Sequence, residues 1–359
     1  MMIVDFIFYL LTSLSVSFLT TPLVIKYAKR FKMMDSKNTR THPAQTHLGT
    51  IPRAGGLSIF IAILLSIIFF IPLNQDIIAI LLSLIVLITI GLWDDRKGRS
   101  PYIRFLTGCL AAIIVIISGI SISYITHPLG GVIHFDQIKL LIPTPVGNFT
   151  IILIADILTL LWIVWTMNIV GWSGGVDGQL PGFVAISAVV IGILSLRSVP
   201  SDPSQIVVTS LSFITAGAFL GFLPWNFYPQ KIMPGYGGKT IAGFMLAVLS
   251  ILSSAKLGTA LLVLVIPMLD ALFIFLRRIL SGKSPVWATS GHLHHLLLLQ
   301  GWSKRRIAVF YWLISAIAGI VALSLNSKQK IFAGIVITVA VLGFIVWVNF
   351  ARKKLKRTS

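Results

Sequence analysis

The chain has 359 residues, of which 56% are hydrophobic and only 11% charged, and its net charge is +19. Soluble globular domains carry about a quarter charged residues, so this composition excludes an ordinary water-soluble domain. The basic residues separate hydrophobic segments instead of forming a stripe on one soluble surface, which argues against a nucleic-acid-binding protein.

Apolar segments of about twenty residues, each long enough to cross about 30 Å of hydrocarbon as a helix, account for most of the chain. They predict an all-α polytopic membrane protein with about eleven transmembrane helices. We expect one transmembrane domain over residues 1–350, a basic cytoplasmic tail at 351–359, and a first span that is retained rather than cleaved as a signal peptide. The predicted spans are 3–25, 54–73, 76–93, 105–125, 151–170, 182–199, 205–223, 240–255, 258–276, 307–325 and 331–350.

The orientation follows from the distribution of positive charge. With the amino terminus outside, 24 of the 29 Lys and Arg residues fall in one set of loops and the tail, and five fall on the opposite side. The positive-inside rule makes the first set cytoplasmic, so the carboxyl terminus is cytoplasmic too. Turn residues and weak alternation between 126 and 150 also predict a short external β-hairpin.

Two adjacent carboxylates, Asp94 and Asp95, follow the third span. Adjacent carboxylates repel each other unless a cation or a proton lies between them, and hard oxygen ligands suit Mg²⁺. The alternative is an ordinary solvated helix end. All ten acidic residues of the chain are aspartates, so few carboxylates can take part in chemistry.

A second candidate, Asp177, lies in the glycine-rich sequence GGVDGQLPG, directly after a span that ends in Asn168. Glycines let a backbone approach a phosphate closely, and a carboxylate among them can hold the metal that the phosphate carries. An ordinary Asp-Gly turn is the structural alternative.

The sequence PGYGGKT at 234–240 superficially looks like a phosphate-binding P-loop. It does not fit that motif, because Met233 stands where the motif requires glycine and no strand precedes it. A glycine-rich loop that brings Lys239 near a phosphate stays open beside a tight turn that returns the chain to the membrane.

Three histidines, His292, His294 and His295, lie within four residues in a strongly basic loop. No second cluster completes a tetrahedral zinc site, so hydrogen bonding to a phosphate or a sugar is favoured over metal ligation. Asp270 lies inside a span, where ionisable groups are costly and usually functional, about 10 Å of helix from the cytoplasmic end. We therefore add it to the substrate-binding candidates.

Together these motifs resemble the polyprenyl-phosphate N-acetylhexosamine-1-phosphate transferases of glycosyl transferase family 4. The resemblance runs almost end to end, and the shared order of the motifs on one membrane face is what makes it specific. It rests on THP at 41–43, IPRAGG at 51–56, DDRKG at 94–98, Asn168 with GVDG at 175–178, PWNFYP at 224–229, PMLDALF at 267–273, and GHLHH at 291–295 followed by GW. The form GHLHH is more similar to the branch that transfers GlcNAc-1-phosphate than to the pentapeptide branch.

The resemblance implies a bacterial cytoplasmic-membrane enzyme that uses Mg²⁺ or Mn²⁺, a UDP-N-acetylhexosamine donor and a polyprenyl-phosphate acceptor, with a homodimer left open. Asp94 would orient or deprotonate the lipid phosphate, Asp95 and Asp177 would hold the metal, and a covalent aspartyl-phosphate route stays open. The expected catalytic residues are thus Asp94, Asp95 and Asp177. The expected substrate-binding residues are Arg53, Lys97, Asn168, Lys239, Asp270, His292, His294 and His295.

The chain departs from the family pattern at several polar positions. Gly171, Gly174 and Tyr236 stand where the family has an asparagine, an aspartate and a metal-binding aspartate. Thr289, Ser290 and Leu296 replace common charged residues near the histidines.

These departures motivate a second hypothesis, a catalytically weak relative that binds lipid phosphate. A phospho-MurNAc-pentapeptide transferase is a further alternative. A secondary transporter ranks lowest, because the polar motifs gather at one face rather than at a midplane site.

Overall fold

The computed structural model describes residues 2–35, 46, 49–127, 131–144, 147–253, 256–284 and 291–358. Within these residues the chain forms thirteen helices and three antiparallel sheets of two strands each. The helices are α1 (Met2–Arg30), α2 (Gly56–Phe70), α3 (Gln75–Lys97), α4 (Pro101–Ile117), α5 (Leu153–Ser173), α6 (Gln179–Ser198), α7 (Gln205–Asn226), α8 (Gly235–Leu252), α9 (Lys256–Val263), α10 (Val265–Leu280), α11 (Leu293–Leu299), α12 (Lys304–Ser324) and α13 (Ser327–Thr358). The strands are β1 (Met34–Asp35), β2 (Ile51–Pro52), β3 (Tyr124–Thr126), β4 (Val132–His134), β5 (Lys139–Thr144) and β6 (Gly147–Ile152), paired in chain order.

The helices confirm a multi-pass membrane protein. Eight of the described helices are long and apolar enough to cross a membrane, and α9 with α10 gives a ninth span if that bent pair is counted as one. The helices α2 and α4 are apolar but shorter, at 15 and 17 residues. Each of the eleven predicted spans falls on one of these helices or on the bent pair, while the count of eleven and the orientation stay predictions.

One predicted span, 258–276, is wrong as a continuous helix. The chain breaks at Leu264, and α9 and α10 meet at an angle of 82°. Pro267 explains the position of the break, because it has no N–H to donate to the carbonyl of Val263, four residues earlier. Proline is tolerated in the first turn of α10, so a new helix starts there in another direction.

The predicted hairpin is present in a more elaborate form, while its external location stays a prediction. The strands β3 and β4 pair Tyr124 with His134, and a second pair, β5 and β6, runs directly into α5. The weak alternation at 132–141 therefore belongs to two neighbouring hairpins instead of one.

Short turns and caps return the chain repeatedly to one end of the helix bundle. This end, where α3 finishes at Lys97 and α8 begins at Gly235, is called the site end. Three residues join α3 to α4, and the Ser100 side chain accepts a hydrogen bond from the backbone of Ile103 to cap α4. In the same way, α6, α8 and α12 begin at the site end, where α5, α7 and α10 finish. The motifs that the sequence places between spans are thereby collected on one side.

The helix α8 lies at the centre of the bundle, where it packs against α2, α3, α5 and α6. Fourteen of its 18 residues are buried. A Cβ added to Gly56 would overlap the backbone of Gly238, and a Cβ added to Gly91 would overlap the backbone of Gly237. Glycine therefore sets the separation of α2, α3 and α8 at the site end.

The sequence PGYGGKT is thus not a loop. Residues Gly235 to Thr240 form the first turns of α8, and Lys239 belongs to that helix. Close packing against the glycines of α2 and α3 stabilises a helical conformation that the local glycine content disfavours.

Glycine also sets the approach of α1 to α7, which leads to a stability prediction. Gly217→Ala would place a methyl group on the backbone carbonyl of Leu10, and we expect a loss of about 1–3 kcal/mol from overpacking. Thermal unfolding followed by tryptophan fluorescence in detergent measures this loss. Gly343→Ala in α13, which meets nothing within 4 Å, is the matched control and should be neutral or slightly stabilising. Equal midpoints for the two variants would contradict the packing described.

Candidate active site

Asp94 and Asp95 lie in the last turn of α3, and both side chains are buried. Arg104 of α4 donates to both carboxylate oxygens of Asp94, through Nε at 2.8 Å and Nη2 at 3.1 Å. Asp95 Oδ1 accepts from Arg53 Nε at 3.3 Å and from the backbone N–H of Tyr236 at 2.9 Å. The two carboxylates therefore each hold a guanidinium group.

Arg53 lies at the centre of this charge cluster. Its Nη1 donates to Asp35 Oδ2 at 3.2 Å, and its Nη2 lies 3.8 Å from Asp94 Oδ2. Burial lowers the pKa of the guanidinium, but the charges of the three aspartates outweigh burial and hold that pKa above its ordinary value. Arg53 thus stays charged and compensates carboxylates from two separate parts of the chain.

Backbone hydrogen bonds fix the segment that carries Arg53. Met233 donates to the carbonyl of Pro52 at 2.8 Å, Gly55 donates back to Met233 at 3.0 Å, and Gly56 donates to Pro234 at 2.8 Å. This pairing joins the start of α2 to the start of α8.

Gly235 then begins α8 with a φ of +67°, a conformation that favours glycine. A Cβ at this position would overlap the Arg53 carbonyl and the Asp95 carboxylate. Only glycine fits there, which is why α8 can begin directly against the charge cluster.

Asp177 lies between α5 and α6 in a turn that its neighbours hold firmly. Gly178 has a φ of +77° and donates its N–H to Asn226 Oδ1 at 3.1 Å, while its carbonyl accepts from Trp312 Nε1 at 3.2 Å. Lys304, the first residue of α12, donates to Asp177 Oδ1 at 3.0 Å. The third aspartate therefore also holds a basic side chain.

The short helix α11 carries the histidines, and Asp270 of α10 anchors it. Asp270 Oδ1 accepts from the backbone N–H of Leu293 at 2.8 Å, and Oδ2 lies 3.0 Å from His292 Nδ1. This pairing fixes the His292 ring and leaves its Nε2 as the nitrogen that faces away from the aspartate.

His294 packs directly against the Asp177 turn. A Cβ added to Gly175 would overlap the His294 ring, whose own exposed fraction is 1%. The ring stacks with His292 at 5.8 Å and lies 4.2 Å from His295. Burial, followed by the charges of these two histidines and of Lys239, holds the pKa of His294 well below its usual value. His294 is therefore neutral at physiological pH.

Lys239 connects the two halves of the site. A Cβ added to Gly174 would lie 3.4 Å from Lys239 Cε, so the lysine stem runs beside the Asp177 turn. Its charged neighbours are Asp95 and Asp35, which attract it, and Arg53 and Arg104, which repel it. The charge cluster of α3 and the histidine cluster of α11 are thus joined across the start of α8.

Two predicted substrate-binding residues form no hydrogen bond or ion pair with the other described residues of the site. Lys97 is exposed at the end of α3 and forms no ion pair with a described residue. Asn168 donates its Nδ2 to the carbonyl of Val164 in its own helix at 2.8 Å. The THP motif at 41–43, Thr289 and Ser290 lie outside the described residues.

The carboxylates do not fit a resident divalent cation. Asp94, Asp95 and Asp177 each contact an arginine or lysine side chain, and a metal ion beside them would be repelled by these cations. Among the described residues, no group of three or more potential ligand side chains comes together to hold a metal ion. Mg²⁺ or Mn²⁺ on Asp95 and Asp177 stays a prediction, and we derive no step through it.

Sequence reasoning missed the partners of the aspartates, Arg104 and Lys304, which it counted only as loop charges. It also missed Asn226 and Trp312, which hold the Gly178 turn. Asn226 had a signal, because it lies in the motif PWNFYP, whereas nothing in the sequence marks Trp312 or Arg104 as contacts of a site.

The neutral His294 leads to a pH prediction. Because its pKa is lower in the folded protein than in the unfolded chain, the unfolded chain takes up the proton first as the pH falls. The stabilisation due to neutral His294 is complete above the unfolded pKa of about 6.5 and is lost as the pH falls below it, by roughly 1 kcal/mol at pH 5.5. Between pH 7.5 and 5.5, the unfolding free energy of the wild type should drop by that much more than that of His294→Gln. Parallel pH dependences would contradict a buried neutral imidazole.

Comparison of the sequence with known proteins identifies the family of the chain. The model of glycosyl transferase family 4 matches residues 77–254. A probable undecaprenyl-phosphate N-acetylglucosaminyl 1-phosphate transferase of Bacillus subtilis (strain 168) is 29% identical over 90% of this chain and 85% of that protein. A decaprenyl-phosphate N-acetylglucosaminephosphotransferase of Mycobacterium leprae is 30% identical over 84% of this chain and 79% of that protein. A phospho-N-acetylmuramoyl-pentapeptide-transferase of Staphylococcus aureus is 27% identical over 88% of this chain and 97% of that protein. The chain therefore belongs to glycosyl transferase family 4.

Proposed function

We propose that the protein transfers GlcNAc-1-phosphate, or a related N-acetylhexosamine-1-phosphate, from a UDP-sugar to undecaprenyl or another polyprenyl phosphate. The reaction releases UMP and starts the synthesis of a cell-envelope glycan. Its active site faces the cytoplasm from the bacterial cytoplasmic membrane. The activities named for the Bacillus and Mycobacterium relatives support this assignment, and the homodimer stays a prediction.

One structural observation carries the proposal: four polar segments that are far apart in sequence meet at the site end. Asp95 accepts from the start of α8, Lys239 of α8 runs beside Gly174, and Gly175 packs on His294. Basic side chains and three histidines are thereby brought together at the end of a helix bundle that spans the membrane. Such a place suits two anionic substrates, one soluble and one anchored in lipid.

The chemistry asks mainly for positioning and neutralisation of charge. An oxygen of the lipid phosphate forms a bond to the β-phosphorus of the UDP-sugar. The bond from that phosphorus to the bridging oxygen breaks, and UMP leaves with the electron pair. Negative charge accumulates on oxygens around the β-phosphorus, so cations fixed in advance stabilise the transition state.

The aspartates hold these cations in place. Asp94 fixes the Arg104 guanidinium, Asp95 fixes Arg53, and Asp177 fixes Lys304. Each pair costs no reorganisation when substrate arrives, because the carboxylate has already set the geometry of the donor. Proton transfer to Asp94 and a covalent aspartyl-phosphate route stay predictions from the sequence.

His294 supplies an uncharged hydrogen-bonding group beside the other two histidines. Asp270 sets the ring of His292, and His294 Nδ1 is buried without a hydrogen-bond partner among the described residues. We assign the histidines to the sugar or to phosphate oxygens, where a neutral imidazole can donate without adding charge.

A transfer assay tests the activity. Purified protein in detergent is incubated with undecaprenyl phosphate and one labelled donor, either UDP-GlcNAc, UDP-GalNAc or UDP-MurNAc-pentapeptide, once with Mg²⁺ and once with EDTA. We expect labelled lipid and UMP in equal amounts with an N-acetylhexosamine donor. Label only from the pentapeptide donor would move the protein to the other branch of the family. UMP release from no donor would support the lipid-phosphate-binding alternative.

Substitution of Asp177 tests the role of the fixed cations. Asp177→Asn leaves Lys304 without its charge partner and should lower transfer at least about 100-fold, the usual cost of losing one fixed donor. Asp76→Asn, at the opposite end of the bundle in the first turn of α3, is the matched control and should keep normal activity. Retention of activity by Asp177→Asn would remove this aspartate from the mechanism.

The contact between the Asp177 turn and the histidines gives another prediction. Gly175→Ala drives a methyl group into the His294 ring, and we expect transfer to fall at least about 10-fold, since a misplacement of about 1 Å can cost 100-fold. Gly108→Ala in α4, whose nearest atom would be 3.6 Å away, is the control. Equal activity of the two variants would show that the histidines do not depend on this turn.

A further inference from the structure

The carboxylates of the site are already engaged by basic side chains. A bidentate guanidinium binds Asp94, and an ammonium binds Asp177 at 3.0 Å. Asp95 contacts both a guanidinium and a backbone N–H. A divalent cation would have to displace these donors or lie within a few ångströms of their charge, and both are unfavourable.

Lys239, in contrast, carries a charge that no described side chain neutralises directly. Its side chain is only partly exposed, and its ammonium forms no hydrogen bond or ion pair with a described residue. At longer range two arginines repel the ammonium, and this repulsion is larger than the attraction of the two aspartates around it. A cation in these surroundings gains most from an added anion.

The sequence around Lys239 leaves room for its side chain. Gly171 and Gly174 flank it, since Cβ atoms added there would lie 3.8 Å from its Cβ and 3.4 Å from its Cε. A larger side chain at Gly171 would compete with the lysine for the same space, and one at Gly174 would meet Leu180 at 2.8 Å as well as the lysine. Tyr236, three residues earlier, directs its hydroxyl away to the Arg104 carbonyl at 2.9 Å. Three positions at which this chain differs from the family pattern, Gly171, Gly174 and Tyr236, thus lie close to Lys239 at the start of α8.

We propose that the Lys239 ammonium neutralises the diphosphate of the donor in place of a divalent cation bound by the aspartates. The lysine lies between the charge cluster of Arg53 and the turn of Asp177. In this proposal the diphosphate lies between the two basic side chains held there, Arg53 and Lys304. This inference rests on the proposed function, because it takes the UDP-sugar as the ligand of the site. No bond to Lys239 forms or breaks; it acts by charge and hydrogen bonding alone.

Transfer in EDTA tests the inference on the unmodified protein. We expect the rate with EDTA to lie within about twofold of the rate with Mg²⁺. Lys239→Met should lower transfer at least about 100-fold in both conditions, whereas Lys239→Arg keeps the charge and should recover most of that loss. Lys283→Met removes an exposed lysine outside the site and is the control for loss of charge alone.

A binding measurement gives a readout that does not depend on turnover. Isothermal titration of UDP-GlcNAc in EDTA should give a Kd at least about tenfold higher for Lys239→Met than for the wild type, the loss of one charge-assisted contact of about 1.4 kcal/mol. Titration with Mn²⁺ alone should show no binding to the wild type.

The outcomes separate this inference from the proposed function. Transfer that disappears in EDTA and returns with Mg²⁺ would overturn the role of Lys239 and leave the transferase intact. Absence of transfer in every condition would overturn the transferase, and the titration then decides: an unchanged Kd in Lys239→Met refutes the role of the lysine as well. If Lys239→Met does not fold, the wild-type arms can still overturn the inference, and Lys239→Arg, which keeps the charge, should still bind the donor and transfer in EDTA.

Discussion

Arg53 and the three aspartates that surround it form the interaction on which the rest of the site depends. Asp35 reaches the guanidinium from the segment after α1, and Asp94 and Asp95 reach it from the end of α3. Transfer of such charges out of water costs several kcal/mol for each ion, which only close partners and hydrogen bonds can offset. Because Arg53 serves three carboxylates at once, removal of any partner leaves buried charge uncompensated. The cluster therefore fixes the relative positions of α1, α2, α3 and α8 at the membrane end where substrates meet.

In the second half of the site, buried aspartates again join separate elements of the chain through their side-chain partners. Lys304 ties Asp177 to the start of α12, and Asp270 ties α11 to α10. These elements are far from the first cluster in the sequence, yet Lys239 and the glycines beside it bring the two halves into contact. The protein is divided in a way that would match the proposed donor, with fixed cations for a charged diphosphate on one side and the histidine cluster for an uncharged sugar on the other.

Much of this could be predicted from the sequence, because a bilayer imposes long apolar helices and leaves the polar residues at their ends. Asp94, Asp95, Asp177 and the histidines were identified as unusual residue types at such ends. Their ion-pair partners were not, since the lysine that binds Asp177 lies 127 residues away and a basic residue in a loop looks like any other.

The prediction of a loop or a tight turn at PGYGGKT was wrong for a different reason. Glycine-rich sequences favour turns, but here packing against Gly56 and Gly91 selects a helix. Likewise, hydropathy alone could not distinguish a straight span from the bent pair α9 and α10, because both bury the same apolar side chains. Tertiary contacts decided the first case, and no window along the chain contains them; in the second case Pro267 marks the break, which a hydropathy average does not register.

The contacts between glycines also determine how the bundle can move. Where α2 and α3 approach α8, main chain lies against main chain with no side chains between them. Side chains can change rotamer to absorb a sliding motion, but backbone atoms in direct contact cannot, so a shift of α8 along either neighbour would drive peptide groups together. The charge cluster and the start of α8 consequently move as one rigid body. Any opening that admits the long lipid tail must come from other parts of the protein.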